Sequence, residues 1–265
     1  MSGEQTDRAA IIREIAKKRV VYRLADMNSL PAPRDLTYRS TSGSALPMRI
    51  FYPTSALPRP VPVVFPLGYA DPEGGVRTFG PVTSWAELFA ASGMAAVVFA
   101  NESPERDVHA ALRHLRTEGN DLGLDTRRFA LFATSGSVPV ALSTLMHEQN
   151  VCCAALLYGY TMDMEGSTTV ADMSAQAGFI DACAGRSVSD LPVAVPMLFV
   201  RAGRDQFPGL NDALDRVLVH ALARNLPLTL INHASGAHGF DVDEDNDVSR
   251  GVIRQVLAFL QQYLA

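Results

Sequence analysis

Arg128-Phe-Ala-Leu-Phe-Ala-Thr-Ser-Gly-Ser-Val-Pro-Val-Ala-Leu142 is the stretch that decides the fold. The apolar run from Phe129 to Phe132 predicts a buried strand, and the apolar pattern after the bend predicts a helix. Ser135 lies at the bend, with the small residues Ala133 and Ser137 two positions before and after it. A serine on such a corner is typical of a nucleophile elbow, where the first helical amides face developing negative charge. We expect Ser135 to be a nucleophile, although both glycines of Gly-x-Ser-x-Gly are replaced.

Composition limits the classes of protein that the chain can belong to. The 265 residues are 48% hydrophobic and carry a formal net charge of -5, which is typical of one globular domain. The acidic balance argues against nucleic acid and anionic membranes as partners. Three cysteines are too few for a disulfide framework, and no Cys/His spacing suits a metal, so we expect neither metal nor cofactor. The first 22 residues lack the apolar core of a signal peptide, and no run reaches membrane-spanning length, which favours a cytoplasmic protein.

The chain alternates apolar runs with amphipathic segments. Two segments with strand alternation come first, at 34–39 and 47–52. Continuous apolar runs follow at 61–65, 95–100, 129–132, 152–158, 196–200 and 227–231, with helical patterns between most of them and a last one at 248–264. Strands buried on both faces that alternate with helices indicate parallel crossovers. The pattern predicts an α/β fold: a mostly parallel sheet of about eight strands with an antiparallel start and helices on both faces.

Two segments lie outside this alternation. Residues 1–33 are predicted as an N-terminal helix (9–21) and linker, and 34–265 as the main domain. The segment at about 159–191 is polar and rich in Met, Gly and Ser. It is either helix and loops, with helices at 170–177 and 180–184, or a lid over a substrate pocket. In the second interpretation Met162 and Phe179 line that pocket together with Leu67.

A nucleophilic serine needs a base and a group that orients the base. In open α/β sheets these groups lie beyond the carboxyl ends of strands. Asp205 follows the strand at 196–200, and His238 lies in the flexible loop after the strand at 227–231. The order Ser135, Asp205, His238 is the order expected of this kind of fold.

Other side chains compete for these roles. His233 lies directly at a strand end, where a side chain more often braces the loop, and Asp163 follows the preceding strand. The remaining histidines fall within helix patterns and are interpreted as surface or packing residues. The acidic run 241–247 is interpreted as a solvated loop and helix start.

Two backbone amides are expected to hold the developing oxyanion. One is the amide of Gly136, after the nucleophile, and the other is that of Tyr69, in the loop after the first central strand. Gly68 lets that loop turn toward the nucleophile. The Tyr69 hydroxyl either contributes as well or fills the pocket.

With these residues assembled, the chain resembles the α/β-hydrolases, and among them the dienelactone hydrolase-like and acetyl-esterase-like serine hydrolases. The similarity runs from about Pro47 to the C-terminus and rests on linked pieces: 48–53, 62–65, 107–112, 124–129 into the bend, 202–205 and 237–240. It implies an α/β-hydrolase fold with a short lid-like insertion. It also implies a triad in which Ser135 attacks an acyl carbon, His238 moves the proton and Asp205 fixes the tautomer.

The chain departs from that family pattern in the oxyanion loop and at the nucleophile. Leu67-Gly68 stands where relatives have His-Gly, and Ser135 stands where dienelactone hydrolases proper use a cysteine. We therefore expect a serine hydrolase that cleaves a small or medium ester, thioester or lactone through an acyl-enzyme. The alternatives are an acyltransferase, peptidase or C–C hydrolase with the same triad, or a ligand-binding protein with a weakened site. The expected partner is a small-molecule acyl substrate, and a homodimer is compatible with the sequence.

Overall fold

The computed structural model describes residues 13–54 and 60–264, and within these ranges eight strands form one sheet. The strands are β1 (Arg34–Arg39), β2 (Ala45–Phe51), β3 (Pro62–Phe65), β4 (Ala95–Phe99), β5 (Phe129–Thr134), β6 (Val151–Leu157), β7 (Met197–Ala202) and β8 (Leu228–His233). Their spatial order is β1-β2-β4-β3-β5-β6-β7-β8. β2 pairs antiparallel with β1 and β4, and all later pairs are parallel. The predicted sheet is confirmed.

Helices connect the strands and cover both faces of the sheet. They are α1 (Gly80–Ala91), α2 (Pro104–Glu118), α3 (Val138–His147), α4 (Thr169–Ala177), α5 (Leu210–Ala223), α6 (Phe240–Asp243) and α7 (Asp247–Leu264). The sequence pattern predicts this first helix at 85–92, and α1 begins five residues earlier, at Gly80, with Pro81 in its first turn. Proline is favoured there because its ring fixes a helical φ and its missing N–H is not needed.

The sheet separates two hydrophobic cores. One core contains residues of α2, α3 and α5, and the other contains residues of α1 and α7. β3 and β4 are buried along their whole length, as expected for central strands covered by helices on both sides. β8 lies at the edge of the sheet and is partly exposed. The carboxyl ends of the central strands therefore meet at one edge of a rigid layer, where side chains from distant positions converge.

The N-terminal segment packs on the main body of the protein. Residues 13–17 are helical and 18–20 are not, so the described part of the predicted helix ends earlier than 21, while 9–12 lie outside the described residues. Val20 donates its amide to the Ser84 hydroxyl (2.9 Å), and Val21 donates its amide to the Asp241 carbonyl (2.8 Å). These bonds fix the segment against α1 and α6.

The insertion at 159–191 contains one α-helix, α4, among its residues. The predicted helix at 170–177 is confirmed as Thr169–Ala177, whereas 180–184 forms turns. Ala184 donates its amide to the Asp181 carbonyl, and Arg186 donates to the Cys183 carbonyl, as in tight turns. The predicted helix at 180–184 was wrong because these turn bonds take the place of a helical ladder.

Candidate active site

Ser135 lies on a sharp turn between β5 and α3. It begins a short 3₁₀ turn, Ser135–Ser137, with a φ of 54°. Positive φ is uncommon for a residue with a side chain, and such strained positions cluster at functional sites. A side chain at the next position, Gly136, would meet the Tyr69 hydroxyl at 2.5 Å. The turn is therefore tightly enclosed, which accounts for the small residues around Ser135.

The structure brings Ser135, His238 and Asp205 together. His238 Nε2 lies 2.8 Å from Ser135 Oγ, and His238 Nδ1 lies 2.7 Å from Asp205 Oδ2. Asp205 Oδ1 accepts the Phe207 amide at 3.0 Å, which orients the carboxylate. The Asp205 side chain is fully buried and that of His238 is 12% exposed. A hydroxyl, an imidazole and a carboxylate in this order can move a proton from the serine oxygen to the imidazole.

The rival residues occupy other positions. His233 is buried, its Nε2 lies 3.0 Å from Ser249 Oγ, and its ring packs on Phe240 at 4.8 Å. It braces the loop. The carboxylate of Asp163 accepts the amides of residues 170 and 171, each at 2.9 Å, and so serves the N-terminus of α4.

The loop after β3 packs directly against the Ser135 turn. A side chain at Gly68 would lie 1.9 Å from the Gly136 carbonyl oxygen, so only glycine fits there. The Gly68 amide donates to Ser137 Oγ (3.0 Å), and the Gly68 carbonyl accepts the Ile180 amide (2.8 Å). The loop is held on one side by the turn and on the other by the insertion. Sequence reasoning missed this role of Ser137.

A cavity of about 480 Å³ opens beside Ser135 and His238. Most of its lining is apolar and comes from the N-terminal segment, β3 and the loop after it, α1, β5, the loop after β7 and α6: Ile15, Phe65, Leu67, Val76, Phe79, Val82, Trp85, Phe132, Phe207 and Val242. Besides Ser135 and His238, the polar lining residues are Lys18, Tyr69, Thr134, Ser137, Tyr158, Gln206, Asp241 and Asp243. The predicted Leu67 is part of this lining.

Two predicted pocket residues are not among the described residues that line this cavity. Met162 is 1% exposed and packs in the core of α2, α3 and α5. Phe179 is 3% exposed, stacks on Tyr160 at 5.5 Å and meets the Tyr69 ring at 6.5 Å. Met162 is therefore used in the packing of the main body and Phe179 in the packing of the insertion, which differs from their expected place in the pocket.

One member of the acidic run corrects the prediction of a solvated loop. Asp241 is 1% exposed; its carboxylate accepts the Trp85 indole N–H (2.7 Å) and the Tyr158 hydroxyl. The residues at 243, 245 and 247 are exposed, as predicted. Sequence reasoning missed Asp241 and Tyr158, although two signals were present: Asp241 is three residues after His238, and Tyr158 directly follows a buried strand.

Across 13–54 and 60–264, no group of three or more His, Cys, Asp or Glu side chains could hold a metal ion. Over the same ranges, no helix is both long and apolar enough to cross a membrane.

Comparisons with known proteins support the fold. No protein-family model and no curated protein matches the chain. Solved structures do match: a bacterial heroin esterase has a TM-score of 0.72 at 16% identity, covering 98% of this chain and 90% of that one. A thermostable esterase from Pseudomonas putida has a TM-score of 0.71 at 16% identity, covering 98% of this chain and 90% of that one. A fungal esterase from Rhizomucor miehei has a TM-score of 0.67 at 15% identity, covering 91% of this chain and 84% of that one. The chain is similar to these proteins in architecture and has the α/β-hydrolase fold.

Proposed function

We propose that this protein is a serine hydrolase that cleaves small or medium carboxylic esters through an acyl-enzyme, with Ser135, His238 and Asp205 as its triad. The observation that carries this proposal is the continuous contact from Ser135 Oγ to His238 Nε2 and from His238 Nδ1 to Asp205. The fold is shared with proteins named as esterases, which supports the same class of reaction.

The reaction follows from this geometry. His238 Nε2 takes the hydroxyl proton as Ser135 Oγ attacks the acyl carbon, and Asp205 stabilises the imidazolium that forms. The tetrahedral intermediate collapses as the imidazolium gives its proton to the leaving alcohol, which leaves Ser135 acylated. A water then loses a proton to His238, attacks the acyl carbon and releases the carboxylic acid, and the serine hydroxyl is restored.

The amides of Tyr69 and Gly136 are proposed to hold the oxyanion. The Gly68 amide donates to Ser137, so the next amide of the loop, that of Tyr69, is the better candidate donor. The bond from the Gly68 amide to Ser137 also argues against the alternative of a weakened, ligand-binding site. The loop has Leu67 where the family that the chain resembles has a histidine, but Ser137 holds the loop in place.

The size and lining of the cavity favour apolar esters of limited size. A volume of about 480 Å³ is within the range of pockets that enclose small ligands. We expect turnover of p-nitrophenyl esters to be highest for short to medium acyl chains and to fall for long ones. Thioesters and lactones of similar size are also candidate substrates, because they present the same acyl carbon.

Labelling with a fluorophosphonate tests the nucleophile directly. The wild-type protein should be labelled at Ser135, as located by peptide mass spectrometry, and Ser135→Ala should lose labelling. The same variant should lose p-nitrophenyl acetate turnover by about 10⁴-fold or more. Ser189→Ala, which removes an exposed serine, is the matched control and should behave as wild type. Wild-type turnover in Ser135→Ala would contradict the proposal.

Product analysis distinguishes hydrolysis from transfer with the same triad. With added alcohols or amines, a hydrolase yields mainly the free acid, whereas an acyltransferase yields mainly the new ester or amide.

A further inference from the structure

A buried carboxyl group lies beside the candidate triad and has no part in the mechanism above. Asp241 is in the first turn of α6 and is 1% exposed. Trp85, from α1, and Tyr158, after β6, both donate to its carboxylate. Burying a carboxylate costs several kcal/mol unless hydrogen bonds offset the cost, so an apolar residue would be the simpler choice for packing alone. The arrangement therefore calls for a functional explanation.

Tyr158 connects this carboxyl group to His238. The Tyr158 ring meets the His238 ring edge to face at 4.9 Å, and its hydroxyl donates to Asp241. Phe207 meets the same imidazole at 4.5 Å, also edge to face. Tyr158 has a φ of 34°, which a bulky residue adopts only where its surroundings hold it. The imidazole thus contacts two aromatic rings, one of which is fixed by Asp241.

We propose that Asp241 is a positioning residue for His238: through Tyr158 it fixes the imidazole, and its carboxyl group adds to Asp205 in stabilising the imidazolium. This inference rests on the proposed function. Asp241 touches neither the nucleophile nor the base, and it acts on the base through one intervening side chain.

The pKa directions of Asp241 and Tyr158 agree with this role. Burial raises the pKa of Asp241 above its usual value, and the Tyr158 and Trp85 hydrogen bonds and the charge of His238 offset part of that rise. Burial, together with Asp241, raises the pKa of Tyr158 well above its usual value, so the hydroxyl stays a donor at neutral pH.

Other charged groups lie near Asp241 and His238. Asp205 accepts His238 Nδ1 from the loop after β7. Lys18 of the N-terminal segment forms an ion pair with Asp243 (2.5 Å) in the cavity wall. Glu244 accepts the amide of residue 237 at 2.7 Å, next to His238 in the chain. Asp205, Lys18 and Glu244 each have a partner of their own. The control for Asp241 is therefore an exposed carboxylate of the same acidic run.

The test follows the pH dependence of two readouts in the full-length protein. These are the rate of fluorophosphonate labelling and kcat/KM for p-nitrophenyl acetate. Asp241→Asn keeps the shape of the side chain and removes its charge. Tyr158→Phe keeps the ring and removes the donor. Asp245→Asn removes a charge whose side chain is 63% exposed and is the matched control.

The acid limb of the pH profiles is expected to move in one direction. A nearby negative charge favours the imidazolium, so without it the neutral imidazole persists to lower pH. For Asp241→Asn the acid limb of both profiles should move to lower pH. kcat should fall several-fold at the plateau and KM should stay constant. Tyr158→Phe should move the limb in the same direction, because losing the donor raises the pKa of Asp241 and so reduces its charge. Asp245→Asn should match wild type.

The outcomes separate this inference from the proposed function. If the wild-type protein is not labelled at Ser135, the proposed function is wrong. If wild type is labelled but Asp241→Asn and Tyr158→Phe keep its pH profile and only melt earlier, Asp241 is a structural brace and the inference is wrong. Should Asp241→Asn fail to fold, Tyr158→Phe decides, because it retains the packed ring.

Discussion

Ser137 occupies a position of the turn where glycine is usual, and its hydroxyl changes what the turn can do. Ser137 Oγ accepts the Gly68 amide at 3.0 Å, and so it ties the loop after β3 to the end of β5. Glycine at this position would leave that amide without this acceptor. The serine thereby anchors a loop in which Leu67 stands where the family that the chain resembles has a histidine.

We expect Ser137→Ala to lower kcat for p-nitrophenyl acetate by up to about tenfold with little change in KM. The lost hydrogen bond loosens the loop that carries the candidate oxyanion donor, and that donor acts mainly on the transition state. Steady-state kinetics measure the effect, and the melting temperature shows whether the fold is retained. An unchanged kcat would mean that Ser137 has no part in holding the loop.

At the level of elements, the insertion at 159–191 is built around α4 with a small core of its own. Tyr160, Val170 and Phe179 pack together there with residues of α5. The Asp163 carboxylate accepts the first amides of α4 and so completes its N-terminus. It contacts the site through the bond from the Ile180 amide to the Gly68 carbonyl (2.8 Å) and through the Phe179 ring, which meets the Tyr69 ring at 6.5 Å. The insertion supports the loop after β3 from outside the cavity.

Replacing the two candidate acids should have opposite consequences. Asp163→Ala should lower the free energy of unfolding by about 1 kcal/mol, the usual value of a lost helix cap, and leave turnover near wild type. Asp205→Asn should leave the free energy of unfolding closer to wild type and reduce kcat by about 10⁴-fold. Urea denaturation and p-nitrophenyl acetate turnover measure both quantities. The reverse pattern would assign the acid to Asp163.

At the level of the whole molecule, the cavity is assembled from parts that are far apart in the chain. Ile15 and Lys18 of the N-terminal segment face residues of α1 and α6 across it. Gly80 lets the segment approach, because a side chain there would lie 2.0 Å from the Lys18 carbonyl oxygen. The cavity wall therefore depends on a backbone contact between Lys18 and Gly80, which are far apart in the chain.

We expect Gly80→Ala to displace the N-terminal segment, because the added methyl group cannot fit against the Lys18 carbonyl. The melting temperature should fall, by an amount corresponding to about 1–3 kcal/mol, and KM for bulky esters should rise more than KM for p-nitrophenyl acetate. Gly251→Ala is the matched control. It lies within α7, where the nearest atom to the new methyl group is 3.8 Å away, and should slightly stabilise the protein. Equal effects in both variants would contradict this view of the cavity wall.

The sequence by itself determined the sheet, its antiparallel start and most of its helices, because periodicity of apolar residues is a local property of the chain. It also predicted the Ser135, Asp205 and His238 contacts, since parallel strands bring their carboxyl ends to one edge. Only the tertiary structure decided that Asp241 is buried, because a carboxylate in an acidic run is normally solvated. The donors that allow its burial, Trp85 and Tyr158, are 156 and 83 residues away in the chain. Partners at such separations leave no local pattern, and for that reason only the fold could reveal them.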